Sequence, residues 1–292
     1  MSLIVVNFNS GRHLHRCLHS VLRTREDVET IVWDNASTDD SLVLPKDILN
    51  RIRIVRNDSN LGFAKAVNAS ISMCSGEYVL LLNPDTYADA DIVSPLRQFI
   101  EQQEGKGVLG GRVLNLDGSP ERACARSVPT PKAAFLRLTG LSLLFPKSKR
   151  ISQYNLPDVQ GSEPRRVRSV SGSFCFFTKE AGIRIGFDER FFLFGEDIDF
   201  CLRAEAAGEP VWFIPSATVT HHKGACTESR PIASLLHFYD SMLLFHKKHF
   251  AAQHSIPFNL VVFAGVCLLA TPKLLAAAVV SPFRSVLESL KG

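Results

Sequence analysis

Residues 1–113 alternate short β-branched runs with helical patterns, and this alternation limits the fold more than any other feature. The strand candidates are Leu3–Phe8, Glu29–Asp34, Arg51–Val55, Tyr78–Leu82 and Val108–Leu114. Helical patterns fill 11–23, 38–49, 62–74 and 91–103. Such alternation implies an α/β fold with a mostly parallel central sheet and crossover helices on its faces. Ligands then bind beyond the carboxyl ends of the strands. The residues there are Asn9, Asp34-Asn35, Asn57 and Asn83-Pro84-Asp85, a polar set suited to a nucleotide.

With 292 residues, 46% of them hydrophobic, the chain has material for a large core. A net charge of +4 is only mildly basic. It suits nucleotides or a membrane surface, and no nucleic-acid partner is expected. Seven cysteines, at 17, 74, 124, 175, 201, 226 and 267, form no C-x-x-C pair. Reduced thiols in a cytoplasmic compartment are the simplest reading. The chain enters strand-like sequence at once, so no signal peptide is expected.

Residues 115–166 hold six prolines and many basic side chains, which predicts a loop-rich lid over the cleft. Regular structure resumes with a strand pair or long strand over Val167–Thr178. An acidic helix follows over about 196–207, then strands near 211–214 and 217–221. From 231 the pattern is helical. Ile256–Val280 carries one charge, Lys273, in 25 residues. That length can span a bilayer, but Pro272-Lys273 divides it. An interfacial or re-entrant anchor is the first reading; a single span and a buried core helix stand beside it.

The densest chemical signal is Phe191-Phe192-Leu193-Phe194-Gly195-Glu196-Asp197-Ile198-Asp199. Three carboxylates crowd beside apolar surface, which is costly unless a charge, proton or substrate lies among them. In a helix starting near Gly195, Glu196 and Asp199 share a face and Asp197 points elsewhere, free to act as a general base. Leu80-Leu81-Leu82-Asn83-Pro84-Asp85 is a buried strand ending in a carboxylate. It suits a Mg²⁺ or Mn²⁺ ion with open positions for phosphate, or a plain Asx turn. Asp34 can accept from a uracil or thymine imide, while Ser37, Thr38 and Asp39 equally suit a helix cap. Asn60-Leu61-Gly62-Phe63-Ala64-Lys65-Ala66-Val67-Asn68 opens a helix with a glycine and a lysine, fit for a phosphate or an ordinary solvated face. His221-His222 ends a strand, and only one of the two can face the cleft. No G-x-G-x-x-G or P-loop pattern occurs.

Taken in order, Ile4–Asn9, Asp34-Asn35-Ala36-Ser37, Asn60–Phe63, Asn83-Pro84-Asp85 and Phe194–Asp197 resemble family 2 glycosyltransferases of GT-A fold. Within them they resemble the bacterial rhamnosyltransferase-like branch of surface-polysaccharide synthesis. The resemblance implies a GT-A domain over 1–230, with a donor half of about 1–113 and an acceptor half of about 114–230, before a helical region at 231–292. It implies donor contacts from Asn7, Phe8, Asn9, Asp34, Asn35, Ser37, Asn60, Gly62, Phe63, Lys65, Asn68, Asn83, Pro84 and Asp85. Asp85 and His221 would hold a divalent metal, Mn²⁺ or Mg²⁺. Asp197 would be the base of an inverting displacement, supported by Glu196. Arg112, Arg126, Phe194 and Gly195 would meet the acceptor, with Arg122, Arg165 and Arg166 as further candidates for its diphosphate. The implied donor is a dTDP- or UDP-sugar, best dTDP-rhamnose, and the acceptor a saccharide or polyprenyl-linked saccharide. The enzyme would work at the inner face of the cell membrane, peripherally or singly anchored. Asn83 replaces the first aspartate of the D-x-D pattern and removes one charge from the metal site. The Q-x-x-R-W pattern of processive synthases is absent, so transfer of one or few sugars is expected.

Two rivals remain at this level. A non-catalytic nucleotide-sugar or glycolipid-binding subunit would keep the fold without needing the base. A nucleotidyltransferase would need a glycine-rich basic loop, whereas Asn7–Arg12 holds one glycine.

Overall fold

The computed structural model describes residues 1–24, 28–121, 124–131, 161–222 and 231–289. The expected lid therefore lies largely outside the described residues, as do Arg122 and Cys226.

The first half builds as the alternation predicts. Strands β1 (Ser2–Asn7), β2 (Glu29–Asp34), β3 (Ile52–Arg56) and β4 (Tyr78–Leu82) alternate with helices α1 (Arg12–Thr24), α2 (Lys46–Leu49) and α3 (Phe63–Met73). β3, β2, β1 and β4 lie side by side and parallel. Every residue of β1 and β4 is buried, as expected of a parallel sheet covered on both faces. One expectation changes: 38–49 is not one helix but a 3₁₀ turn at Asp40–Leu42 followed by α2. Pro45 explains the interruption, because it disfavours helical backbone at the residue before it and lacks an N–H to donate.

The second half begins with β5 (Thr86–Tyr87), α4 (Val93–Gln102), β6 (Val108–Leu114) and β7 (Ala125–Arg126). It continues through β8 (Arg165–Arg166), β9 (Ser169–Val170), β10 (Phe174–Thr178), α5 (Lys179–Ile185), α6 (Glu196–Ala206) and β11 (Val211–His221). β10 inserts antiparallel between β4 and β6, while β11 runs parallel to β6, so the full sheet is mixed. Thr178 ends β10 and caps α5 by accepting from Ala181 N–H at 3.2 Å. The strands expected at 211–214 and 217–221 form the single strand β11, with an irregularity between Ile214 and Thr218. Val167–Thr178 divides into β9 and β10 around Ser171-Gly172-Ser173, a turn that enters the site described below.

Helices α7 (Pro231–His249) and α8 (Ile256–Ser289) close the described chain. They pack against each other, with Tyr239 Oη donating to Leu269 O at 3.3 Å and His246 Nε2 2.9 Å from Asn259 Oδ1. The expected break at Pro272-Lys273 does not occur, and α8 runs through it. Ile256, Leu260, Val261, Phe263, Leu268 and Leu275 of α8 are exposed.

Candidate active site

The carboxyl ends of β1, β2 and β3 build a polar cavity of about 470 Å³. Asp34, Ala36, Ser37, Thr38, Asp39, Leu42, Val43, Arg56 and Asn57 line it. Beneath it Asn7, wholly buried, aims Nδ2 at Asp34 Oδ1 (2.7 Å), Ser41 Oγ (2.9 Å) and Ser37 Oγ (3.1 Å). Asp34 also accepts from Ser37 N–H at 3.1 Å. Asn7 thus orients Asp34 from below. Asn9 Oδ1 accepts from Thr38 N–H at 2.8 Å and closes the rim. Asn9 (φ 50°) and Ala36 (φ 61°) both hold left-handed backbone at these strand ends. That strain costs roughly 1–2 kcal/mol per residue and collects at functional sites.

A hydrogen-bonded chain leaves this cavity for the acidic helix. Asn57 Nδ2 donates to Asn35 Oδ1 (3.1 Å), and Asn35 Nδ2 donates to Gly62 O (3.2 Å). Phe63 N–H then donates to Phe192 O at 2.8 Å. Gly62 is required here: a Cβ on it would lie 2.7 Å from Phe192 O, and its φ is 84°.

At the end of β4, Asp85 Oδ1 stands 3.1 Å from His221 Nε2, and His221 Nδ1 stands 2.8 Å from Glu121 Oε2. Burial lowers the His221 pKa, but the hydrogen bonds and charges of Asp85 and Glu121 outweigh it and raise it to about 9. These residues fit a divalent cation. Two cis ligands, each about 2.1 Å from an octahedral ion, stand about 3.0 Å apart, close to the Asp85–His221 separation. Glu121 supplies the outer carboxylate that usually orients a metal-binding histidine. A group of three or more close ligands is absent among the described residues, so substrate oxygens or water would complete the shell. His222 points away and stacks on His13, ring centres 4.6 Å apart.

The acidic helix meets this centre through the turn between β9 and β10. Ser173 O accepts from Asn83 N–H at 3.2 Å, and Gly172 N–H donates to Asp197 Oδ2 at 3.0 Å. Asp197 also pairs with Arg126 of β7 and accepts from Ile198 N–H at 2.8 Å. Glu196 is buried, and its Oε2 has no hydrogen-bond partner among the described residues. Burial, followed by repulsion from Asp197, raises its pKa to about 8. Glu196 therefore holds its proton more tightly than an ordinary carboxyl. Phe194 (φ 70°) and Gly195 (φ 82°) turn the chain into α6.

The remaining predicted residues divide. Asn60 Oδ1 accepts from Gly62 N–H at 2.9 Å and shapes the turn into α3. Asn68 bonds both Phe187 O (2.8 Å) and Phe187 N–H (2.7 Å), tying α3 to the loop before α6. Lys65 is exposed on α3, while Phe8, Asn83 and Pro84 follow their strands as expected. Arg112 donates to Gly161 O at 2.9 Å. Arg165 and Arg166 flank the amino end of β11, opposite the site, and Arg166 pairs with Glu205. Glu121, Gly172 and Arg56 had no signal in the sequence, because only the fold brings them to Asp85, Asp197 and the cavity.

A curled mixed sheet with a nucleotide-sized cavity, a carboxylate–histidine pair and a carboxylate at a helix start defines a GT-A fold. Residues 2–168 match the model of glycosyl transferase family 2, and the chain belongs to that family. It is similar to an N-acetylglucosaminyl-diphospho-decaprenol L-rhamnosyltransferase of Mycobacterium tuberculosis, 29% identical over 258 residues, covering 84% of this chain and 83% of the relative. It is similar to the low-salt glycan biosynthesis hexosyltransferase Agl10 of Haloferax volcanii, 27% identical over 70% of this chain and 61% of that one. In fold it resembles a mannosyltransferase of Pyrobaculum calidifontis solved with GDP-Man and Mn²⁺ (TM-score 0.55, 16% identity, 99% of this chain and 78% of that one). It also resembles GalNAc-T7 solved with UDP, GalNAc and Mn²⁺ (TM-score 0.55, 19% identity), of which it spans 43% while 76% of this chain is covered.

Proposed function

We propose that this glycosyltransferase inverts the anomeric centre while moving rhamnose from dTDP-rhamnose to a hydroxyl of a polyprenyl-linked saccharide. The observation that supports this reading is the turn Ser171-Gly172-Ser173, which bonds Asn83, two residues before Asp85, through Ser173 O and Asp197 through Gly172 N–H. A donor diphosphate at Asp85 would lie beside a base at Asp197, as a single displacement requires. The mycobacterial relative supports the choice of sugar and acceptor.

Asp34, held by Asn7, accepts from the nucleobase, and Asn9 and Ser37 line the same cavity. Asp85 and His221 would hold the divalent metal. Its chemistry, when bound, is neutralisation of the departing diphosphate. Asp197 takes the proton of the acceptor hydroxyl. Arg126, its ion partner, would exchange Asp197 for a phosphate of the acceptor. Glu196, protonated, adds no second negative charge beside the base, which is the support it gives.

We assign the C-terminal helices to the inner membrane face. The described α8 contains a largely apolar stretch of 23 residues, Ile256–Ala278, with a mean hydropathy of 2.1 and 11% of its window buried. At about 1.5 Å per residue such a helix matches a hydrocarbon core of about 30 Å. Both a single anchor and a surface-lying helix use this apolar face.

The test is turnover of a donor panel (dTDP-rhamnose, UDP-glucose, UDP-N-acetylglucosamine, GDP-mannose) with a short-chain prenyl diphosphate N-acetylglucosamine, with and without Mn²⁺. The expected result is transfer from dTDP-rhamnose with inverted stereochemistry by NMR. Asp197→Asn should abolish transfer while a dTDP thermal shift persists. Turnover of another donor alone would overturn the sugar assignment. Full activity in Asp197→Asn would overturn the base assignment.

A further inference from the structure

The loop that delivers Asp197 is braced from one side by α7. Ser241 Oγ donates to Leu193 O at 2.9 Å, and Ser241 is itself buried. His237 stacks on Phe192 with ring centres 4.3 Å apart, and Phe238 meets Phe194 edge-on at 5.9 Å. Phe245 packs with Phe191 and Ile198 in a small core separate from the main one. The left-handed Phe194-Gly195 step sits inside this brace.

One further contact reaches into α6 itself. Asp199 stands two residues beyond Asp197, so the two carboxylates leave the helix on opposite sides. Asp199 is 0% exposed. Its Oδ1 accepts from Lys248 Nζ (2.6 Å) and His249 Nε2 (2.8 Å) of α7, and its Oδ2 from Arg203 Nε (2.8 Å). Burial raises the Asp199 carboxyl, but these donors outweigh it and hold it below its ordinary range. Lys248 Nζ also reaches Asp188 Oδ2 at 2.6 Å, in the loop that leads to Phe191. A buried carboxylate is tolerated only with such partners, and two of the three come from the C-terminal helices. A simple membrane anchor needs none of these contacts.

We propose that the α7–α8 hairpin frames the active site: Ser241, Lys248 and His249 are positioning residues that, through Leu193 and Asp199, set where Asp197 stands. The proposal rests on Asp197 as the base. It also makes bilayer seating and base placement properties of one packed element, since α8 carries the exposed apolar face.

The experiment uses the full chain in detergent, with the panel donor that the wild type turns over and the short-chain acceptor, so that no bilayer is required. Lys248→Met and His249→Leu should each lower kcat about tenfold or more, with donor KM within about twofold of wild type. His249→Gln keeps an N–H donor and should recover most of the loss, as should Lys248→Arg. Ser241→Ala, the mildest change, should lower kcat with the dTDP thermal shift unaltered. Wild-type kcat in Lys248→Met and His249→Leu would overturn the proposal and leave the hairpin an anchor. So would a Ser241→Ala effect that appears in donor binding and kcat alike. Inactive Asp197→Asn beside fully active hairpin variants would refute this inference alone, whereas an active Asp197→Asn would remove the base assignment and this inference with it.

Discussion

Asn7 gives the sharpest test of how the polar cavity proposed for the nucleotide is built. Its amide nitrogen lies within hydrogen-bond reach of Asp34, Ser37 and Ser41, and all four of its side-chain contacts, including acceptance from Ser10 Oγ, are buried or nearly so. Asn7→Ala removes one hydrogen bond to a carboxylate, worth about 1.5–3 kcal/mol, and neutral ones of about 1 kcal/mol each. Water entering the vacated space offsets part of that, so a loss of about 3 kcal/mol is expected. Asn7→Asp is nearly isosteric but turns a carboxylate towards Asp34 Oδ1, which stands 2.7 Å from the present Nδ2. Two unit charges about 4 Å apart repel by about 4 kcal/mol at an effective dielectric of 20. Asn7→Asp should therefore be less stable than Asn7→Ala at pH 7, despite its better shape. The new pair titrates above the ordinary carboxylate range when folded. Its penalty is thus full at neutral pH and relieved as pH falls through the raised folded value towards the unfolded value of about 4. Urea denaturation at pH 5 and pH 7.5, with calorimetric dTDP titration, reads both effects. Equal stability of the two variants at pH 7.5, or unchanged dTDP affinity in both, would refute the account of Asn7 as the residue that orients Asp34.

The other expectations follow from single contacts. Glu196→Gln removes a carboxyl whose folded pKa lies near 8 against 4.5 when unfolded. In the wild type the associated stability is present at acidic pH and lost as pH rises towards 8, so the melting temperature of Glu196→Gln should gain on wild type between pH 5 and pH 8; parallel curves would contradict the buried, protonated Glu196. Gly62→Ala places a methyl 2.7 Å from Phe192 O, so it should displace the Phe192 loop and reduce kcat about tenfold or more, and unaltered turnover would show that loop to be unimportant. Glu121→Gln should weaken Mn²⁺ binding about 10- to 100-fold by calorimetry, as outer-shell changes do, while leaving dTDP binding without metal unchanged; identical Mn²⁺ affinity would remove Glu121 from the metal site. Replacing both Leu260 and Phe263 by serine should reduce co-sedimentation with anionic vesicles, and undiminished co-sedimentation would clear the exposed face of α8.

What the sequence determined is local and periodic. The 2.0 and 3.6 periods of residues 1–113 are properties of neighbouring side chains, so β1–β4 with α1, α3 and α4 are legible in the sequence alone. The polar residues closing those strands were legible too, because strand ends in such a sheet converge on one edge. Asp34, Asp85 and Asp197 were each visible in a short motif. Their assembly was a matter of tertiary structure. Glu121 reaches His221 across 100 positions, Arg126 reaches Asp197 across 71, and Lys248 reaches Asp188 across 60. None of these pairs has a spacing that a periodic reading can detect. The insertion of β10 between β4 and β6 was likewise undecided, since an apolar strand buried on both faces reads alike in parallel and antiparallel pairing. That insertion carries Gly172 to Asp197 and Ser173 to Asn83. Local sequence thus determined which groups could do chemistry, and long-range packing decided which of them meet.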